Sequence, residues 1–235
     1  MIVINDLRKR FGKITALAGL NIDIDTDGVF AVLGPNGSGK TTLIKCILGM
    51  VIPDQGSIRI GDENILGQWA YREKIAYMPQ SANFPPNLKV SELIRMIKAF
   101  RTEAQHEEEL ITRFQLDDSL EKKIGNLSGG TRQKVNIVLT FMLDAPLIIL
   151  DEPTSGLDPV ALMHLKELIL AERQKGKTVL VTSHSMSFVN DVSEEIVFLL
   201  EGRIHFRGSI AQLKERTHQK ELEPAIVTLL QGRNV

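Results

Sequence analysis

Three stretches of the chain carry residue types that could do chemistry. The first, GPNGSGKT, comprises Gly34, Pro35, Asn36, Gly37, Ser38, Gly39, Lys40 and Thr41, with Thr42 behind it. Glycines let successive backbone N–H groups curl around an anion. The Lys40 ammonium can neutralise β- and γ-phosphates, and the Thr41 hydroxyl can ligate Mg2+. The second stretch, LIILDEPTSGLD (147–158), ends an apolar run in two adjacent carboxylates. Asp151 could hold the metal through its water shell, and Glu152 could orient or deprotonate an attacking water. The third, NLSGGTRQK (126–134), sets Ser128, Gly129 and Gly130 before a helical stretch, where bare backbone amides again suit an anion. A chain with one phosphate loop thus carries a second glycine turn, and sequence alone does not place Ser128 relative to the first.

Two polar residues stand beside these stretches. Read alone, His184 in TSHSMS is a surface or packing residue, and Gln80 in YMPQSANFPPN is a turn residue. Because His184 follows a core strand, it is also a candidate contact for a γ-phosphate. Asp158 before Pro159 reads as a helix N-cap with proline at the first helical position, whatever else Asp158 does.

These groups need a sheet to present them. Short β-branched runs at 2–4, 20–24, 29–33 and 57–60 predict strands. The run at 29–33 feeds the glycine loop and then a helix at 41–48, as a phosphate loop requires. From about 90 to 125 the character turns helical, with VSELIRMIKAF and EEELITRFQL carrying apolar residues at helical spacing. Beyond it the pattern predicts a helix at 131–143, a strand at 147–150 and a helix at 159–174. A strand at 178–182, a short helix from Met186, a strand at 196–200 and helices at 210–216 and 225–230 complete it. Such alternation means a parallel sheet covered by helices.

With 43% hydrophobic and 24% charged residues, the 235-residue chain has the composition of an ordinary globular protein. A net charge of -1 supplies no basic field for nucleic acid, so none is expected as a partner. The single Cys46 cannot form an internal disulfide and reads as an apolar filler in a helix. No signal-peptide core opens the chain, and charge interrupts every apolar run short of a membrane span. A cytoplasmic protein is expected.

Taken in this order and spacing, GPNGSGKT, Gln80, LSGGT, LIILDE, SGLD and His184 resemble the ATP-binding subunit of an ATP-binding cassette (ABC) transporter. The resemblance runs from LRKRFGKITAL to EGRIHFRGS; many NTPases share the phosphate loop, but LSGG shortly before LDEPTSGLD is far more specific. It implies an α/β fold: a P-loop NTPase core with a mostly parallel sheet, an N-terminal antiparallel β portion and an inserted helical subdomain (about 90–130). A single domain over 1–235, closed by short helices at about 209–231, is expected. The resemblance makes Phe11 the aromatic that stacks on adenine, residues 34–42 the Walker A loop, Asp151 the Walker B aspartate and Glu152 the catalytic glutamate. It makes Gln80 the Q-loop sensor, Ser128, Gly129 and Gly130 the signature, Asp158 part of the D-loop and His184 the switch histidine. The implied cofactors are ATP and Mg2+, the metal held by Thr41, Gln80 and Asp151.

Two subunits of such a family pack head to tail, each signature touching the γ-phosphate on the opposite phosphate loop. The implied partners are a second, identical ATP-binding subunit and an integral membrane permease, with this subunit peripheral on the inner face of the cell membrane. Two positions depart from the pattern. Phe11 stands where many relatives have Tyr, keeping the stacking face. Thr131 stands where the signature usually has Gln; it is too short to reach back to the cap's backbone N–H, which predicts a looser cap. The chain's ending, ELEPAIVTLL, resembles that of exporter-type subunits.

Two other readings compete. A soluble ABC ATPase of translation or DNA repair would carry long coiled-coil insertions or two cassettes, and this chain has neither. A small-molecule P-loop kinase leaves LSGGT and SGLD unexplained.

Overall fold

The computed structural model describes residues 2–24, 27–101 and 105–231. Along the chain come strands β1 (Ile2–Phe11), β2 (Ile14–Ile24) and β3 (Gly28–Leu33), helix α1 (Lys40–Ile47), then β4 (Gln55–Ile60), β5 (Glu63–Asn64) and β6 (Ile75–Met78). Helices α2 (Val90–Phe100), α3 (Glu107–Arg113) and α4 (Gly129–Phe141) precede β7 (Leu147–Asp151), α5 (Pro159–Gln174), β8 (Thr178–Thr182) and α6 (Met186–Val192). Strands β9 (Glu195–Leu200) and β10 (Arg203–Ser209) and helices α7 (Ile210–Thr217) and α8 (Leu222–Gln231) follow.

Two sheets result. One is antiparallel, in the order β2-β1-β4-β5; the other runs β10-β9-β3-β8-β7-β6 and is parallel except where β10 pairs with β9. The central strands β3, β7 and β8 are buried along their whole length, which is why GVFAVL, LIILD and TVLVT read as near-continuous apolar runs. Alternate residues of β3 serve two cores. Val29, Ala31 and Leu33 face the helices, while Phe30 and Val32 face α1 and the antiparallel sheet. Helix α1 is sandwiched there, burying Leu43, Ile44, Cys46 and Ile47. Burial pushes the Cys46 thiol up to about 11, in keeping with a filler rather than a reactive group.

The middle segment is helical, as its periodicity predicts. Its chain is tied back on itself by backbone bonds from Val90 to Lys122, Ser91 to Leu120 and Ile124 to Leu88. Among the described residues, no helix is long and apolar enough to cross a membrane.

Three differences from the sequence reading have physical causes. Strand β1 continues past Ile4 to Phe11, because register shifts around Asp6, whose φ is 42°, break the two-residue alternation. Strand β10 escapes notice because it lies at an edge and buries only Phe206. Helix α4 runs two residues ahead of the expected 131–143 at both ends, the glycines of LSGG being helical rather than a loop.

Candidate functional site

The loop between β3 and α1 is tightly folded. Gly34 has φ 153°, and a Cβ there would lie 2.1 Å from the Leu199 carbonyl oxygen and 2.6 Å from Ser38 Oγ. At Gly39, with φ 108°, it would meet the Ala16 carbonyl oxygen at 2.5 Å. Only glycine fits either place. Within this loop Lys40 is buried and donates Nζ to the carbonyls of Gly34 (2.7 Å) and Pro35 (3.2 Å). Burial lowers the Lys40 ammonium below the ordinary lysine range, and the charges of Glu152 and Asp151 oppose that shift. Ser38 Oγ is buried with no hydrogen-bond partner. A buried cation and an orphaned hydroxyl in one glycine loop are groups that an anion would satisfy.

Strand β7 delivers the two carboxylates to the same edge. Asp151 is 2% exposed and Oδ1 accepts the Thr182 hydroxyl at 2.5 Å. Burial raises its carboxyl above the ordinary aspartate range; the Thr182 bond opposes this and the Glu152 charge adds to it. Glu152 follows in a left-handed conformation, φ 49°, which costs about 1–3 kcal/mol for a residue with a side chain. Its N–H donates to both the Thr182 carbonyl and hydroxyl, each at 3.1 Å. The Glu152 carboxylate is drawn towards the end of β8, where Oε2 lies 2.7 Å from His184 Nδ1 and accepts the His184 backbone N–H at 3.3 Å. His184, exposed on a loop, therefore rests on Glu152 and bridges the ends of β7 and β8.

A cavity of about 300 Å³ is lined by Phe11, residues 36–42, Gln80 and Glu152 among others. Phe11 sits at the exposed end of β1, with Lys9 Nζ 5.5 Å from its ring centroid, and Lys9 in turn is held by Asp54 at 2.8 Å. Thr41, Gln80 and Asp151 offer hard oxygen donors. Among the described residues no three His, Cys, Asp or Glu side chains gather as a closed metal cage. Such a sparse set suits Mg2+, which keeps several waters and leans on substrate phosphates.

Ser128, Gly129 and Gly130 are absent from that cavity. The two glycines line a second one of about 310 Å³, which touches Gln80, Gln133 and Gly156. Ser128 is exposed and caps α4: its Oγ accepts the Thr131 N–H at 3.1 Å and bonds the Thr131 hydroxyl at 2.8 Å. As the sequence predicts, no reciprocal bond from Thr131 to the cap's backbone N–H is present; the Thr131 hydroxyl bonds the Ser128 side chain instead. Asp158 caps α5 with Pro159 at its first turn, accepting the Ala161 N–H at 2.9 Å, and pairs with Lys134 at 2.7 Å. Those two contacts, Lys134 first, hold its carboxyl below the usual range.

Thr182 was not singled out in the sequence, where it is merely the last residue of an apolar strand. The signal lay in register: in a parallel pairing Thr182 stands beside Asp151, and a hydroxyl there can serve both carboxylate residues. Gln133 and Asn136 of α4 were also missed, being polar side chains inside a helix that reads as ordinary.

The family model for ABC transporters matches residues 17–155. The chain is 32% identical to an uncharacterized ABC transporter ATP-binding protein, YhaQ, of Bacillus subtilis, over 94% of this chain and 76% of that protein. It is 31% identical to the Nod factor export ATP-binding protein I of Ralstonia nicotianae (89% and 67% covered). To the lantibiotic transport ATP-binding protein SrtF of Streptococcus pyogenes it is 30% identical (87% and 89%). Among solved structures, the ATP-binding subunit of an ABC transporter superposes with a TM-score of 0.89 at 28% identity, covering 98% of this chain and 99% of that one. A dimeric bacterial ABC transporter cassette gives 0.81 at 25% identity, covering 89% and 98%.

Proposed function

The chain belongs to the ABC transporter family, whose cassettes bind and hydrolyse ATP, and we propose that it drives a transporter whose membrane-spanning part is a separate polypeptide. The observation that carries this reading is that Lys40, Glu152, Gln80 and Phe11 line one cavity while the signature glycines line another. ATP lies in the first cavity. Phe11 stacks on the base, residues 34–42 wrap the phosphates, and Lys40 turns from its carbonyl partners towards the β- and γ-phosphates. Thr41 and Gln80, with Asp151 through water, would hold Mg2+, and the metal would supply charge neutralisation on those phosphates. Glu152 orients and deprotonates the attacking water. His184 keeps the Glu152 carboxylate aimed until the γ-phosphate competes for its ring.

A second copy, packed head to tail, completes the site with Ser128, Gly129 and Gly130, and Asp158 lies at the seam. The dimeric cassette among the similar structures supports this arrangement. Helices α2 and α3 belong to the helical part that, with Gln80, carries the closing motion to the permease at the inner face of the membrane. The relative named for Nod factor export supports outward transport.

The test uses the full-length Glu152→Gln variant. It should bind ATP as the parent does and lose turnover by about 100-fold or more, the contribution of a positioned general base. Trapped with ATP, it should bring down an integral membrane protein from solubilised membranes. Near-normal phosphate release would reject the role of Glu152. Ribosomes or DNA in place of a membrane protein would reject transport.

A further inference from the structure

Helix α4 buries three polar side chains, Gln133, Asn136 and Thr140, and the first two, one turn apart, reach outside the helix. Gln133 is 6% and Asn136 2% exposed. Gln133 Nε2 donates to the Pro153 carbonyl at 3.2 Å, and Asn136 Nδ2 donates to the Pro79 carbonyl at 2.9 Å. These carbonyls lie just past the ends of β7 and β6, where the ladder no longer supplies partners. A buried amide that satisfies a strand-end carbonyl is ordinary packing. Their places in the chain are not. Pro79 is joined by its peptide bond to Gln80, and Pro153 follows Glu152.

The strained backbone of Glu152 sharpens the point. A left-handed residue persists only where its surroundings over-determine it. Thr182 holds Glu152 from its N-terminal side, and Gln133 holds the residue on its C-terminal side. Helix α4 is also fixed to the D-loop. A Cβ on Gly130 would lie 2.8 Å from the Gly156 carbonyl oxygen, and Lys134 pairs with Asp158. Ser128, at the N-terminus of the same helix, is exposed at the surface.

We propose that Gln133 and Asn136 are positioning residues through which helix α4, seated by its N-terminus on the partner's nucleotide, sets the backbones of Glu152 and Gln80 at its own. The inference rests on the head-to-tail reading above and extends it. Occupancy of one site is felt at the other through two amide hydrogen bonds and a rigid helix, and the two sites fire cooperatively.

The test compares Gln133→Met and Asn136→Leu, which keep volume and remove the donors, with Thr140→Val in the full-length chain. Thr140 is equally buried on α4, but its hydroxyl bonds only the Asn136 carbonyl of its own helix, at 2.8 Å. The parent should hydrolyse ATP with a Hill coefficient of about 2, the number of sites. Gln133→Met and Asn136→Leu should bring it to about 1 and lower kcat by about tenfold, within the range by which single residues alter coupling. Affinity of the monomer for a fluorescent ATP analogue should stay within about twofold. Thr140→Val should lower the melting temperature and leave the coefficient unchanged. A parent coefficient near 2 that both amide variants retain would overturn the inference alone, as would losses that merely track melting temperature across all three variants. A parent coefficient of 1 would overturn the coupling, whereas failure of ATP to bring two copies together would overturn the two-site reading.

Discussion

The two glycine-rich stretches of this chain, residues 34–41 and 128–130, carry the same kind of backbone amides and are built in opposite ways. Around residues 34–41 the loop is enclosed: Gly34 and Gly39 abut neighbouring carbonyls, Lys40 is buried against its own loop, and Ser38 Oγ has no partner. At residues 128–129 the stretch is open, although Gly130 behind it packs against the Gly156 carbonyl. Gly129 has nothing within 4 Å of a notional Cβ, Ser128 is exposed, and the Ser128 hydroxyl is already occupied by Thr131. The first lines a concave cavity within its own chain. On the reading proposed above, the second is one half of a site, and a second copy brings the anion to it. Shape therefore separates the roles that the two motifs share in sequence.

The widest contrast between them should come from Lys40→Ala. It removes the point charge from the enclosed loop and should weaken ATP binding to the isolated subunit by about 10- to 100-fold, since hydrogen bonds to charged groups contribute about 1.5–3 kcal/mol. Calorimetry would read this, and an unchanged affinity would remove ATP from the first cavity. Phe11→Ala should cost less. Its ring is 49% exposed, so the loss belongs near the lower end of the about 1–3 kcal/mol typical of a stacked base. Neither property should change with Ser128→Arg in the monomer, which is how the comparison is sharpened.

The smallest effect is expected at the open turn itself. Thr131→Val deletes the hydroxyl bond to Ser128 but keeps the backbone cap from Thr131 N–H. Thermal unfolding should shift by an amount corresponding to about 0.5 kcal/mol or less, as for a surface substitution. A loss near 1 kcal/mol, the typical worth of an N-cap, would mean that the cap depends on the hydroxyl pair.

What sequence revealed here follows from how local each feature is. Glycine loop, strand and helix are contiguous, so β3, residues 34–41 and α1 could be read together. Asp158 and Pro159 state a helix start in two residues. The apolar run of β7 shows that its end carries Asp151 and Glu152 to a sheet edge. Contacts between distant segments were hidden. The partnership of His184 with Glu152, the bonds of Thr182 to the Asp151 carboxylate and the Glu152 backbone N–H, and the grip of Gln133 and Asn136 on Pro153 and Pro79 depend on strand order and helix facing. Strand β10 and the far half of β1 were hidden for another reason: edge exposure and bulges erase the alternation on which strand reading relies.

The account turns on whether Ser128 serves the partner's ATP, and mixed dimers test it most directly. With Lys40→Ala on one chain and Ser128→Arg on the other, both lesions fall in one composite site and the second site stays intact. With both changes on the same chain, each site carries one lesion. ATP-dependent cross-linking between a cysteine placed near Ser128 and one in the partner's phosphate loop reads the sound sandwich. The account predicts efficient cross-linking at one site of the opposite-chain dimer and weak cross-linking in the same-chain dimer. Equal yields from the two arrangements would contradict it, because Ser128 would then not reach across.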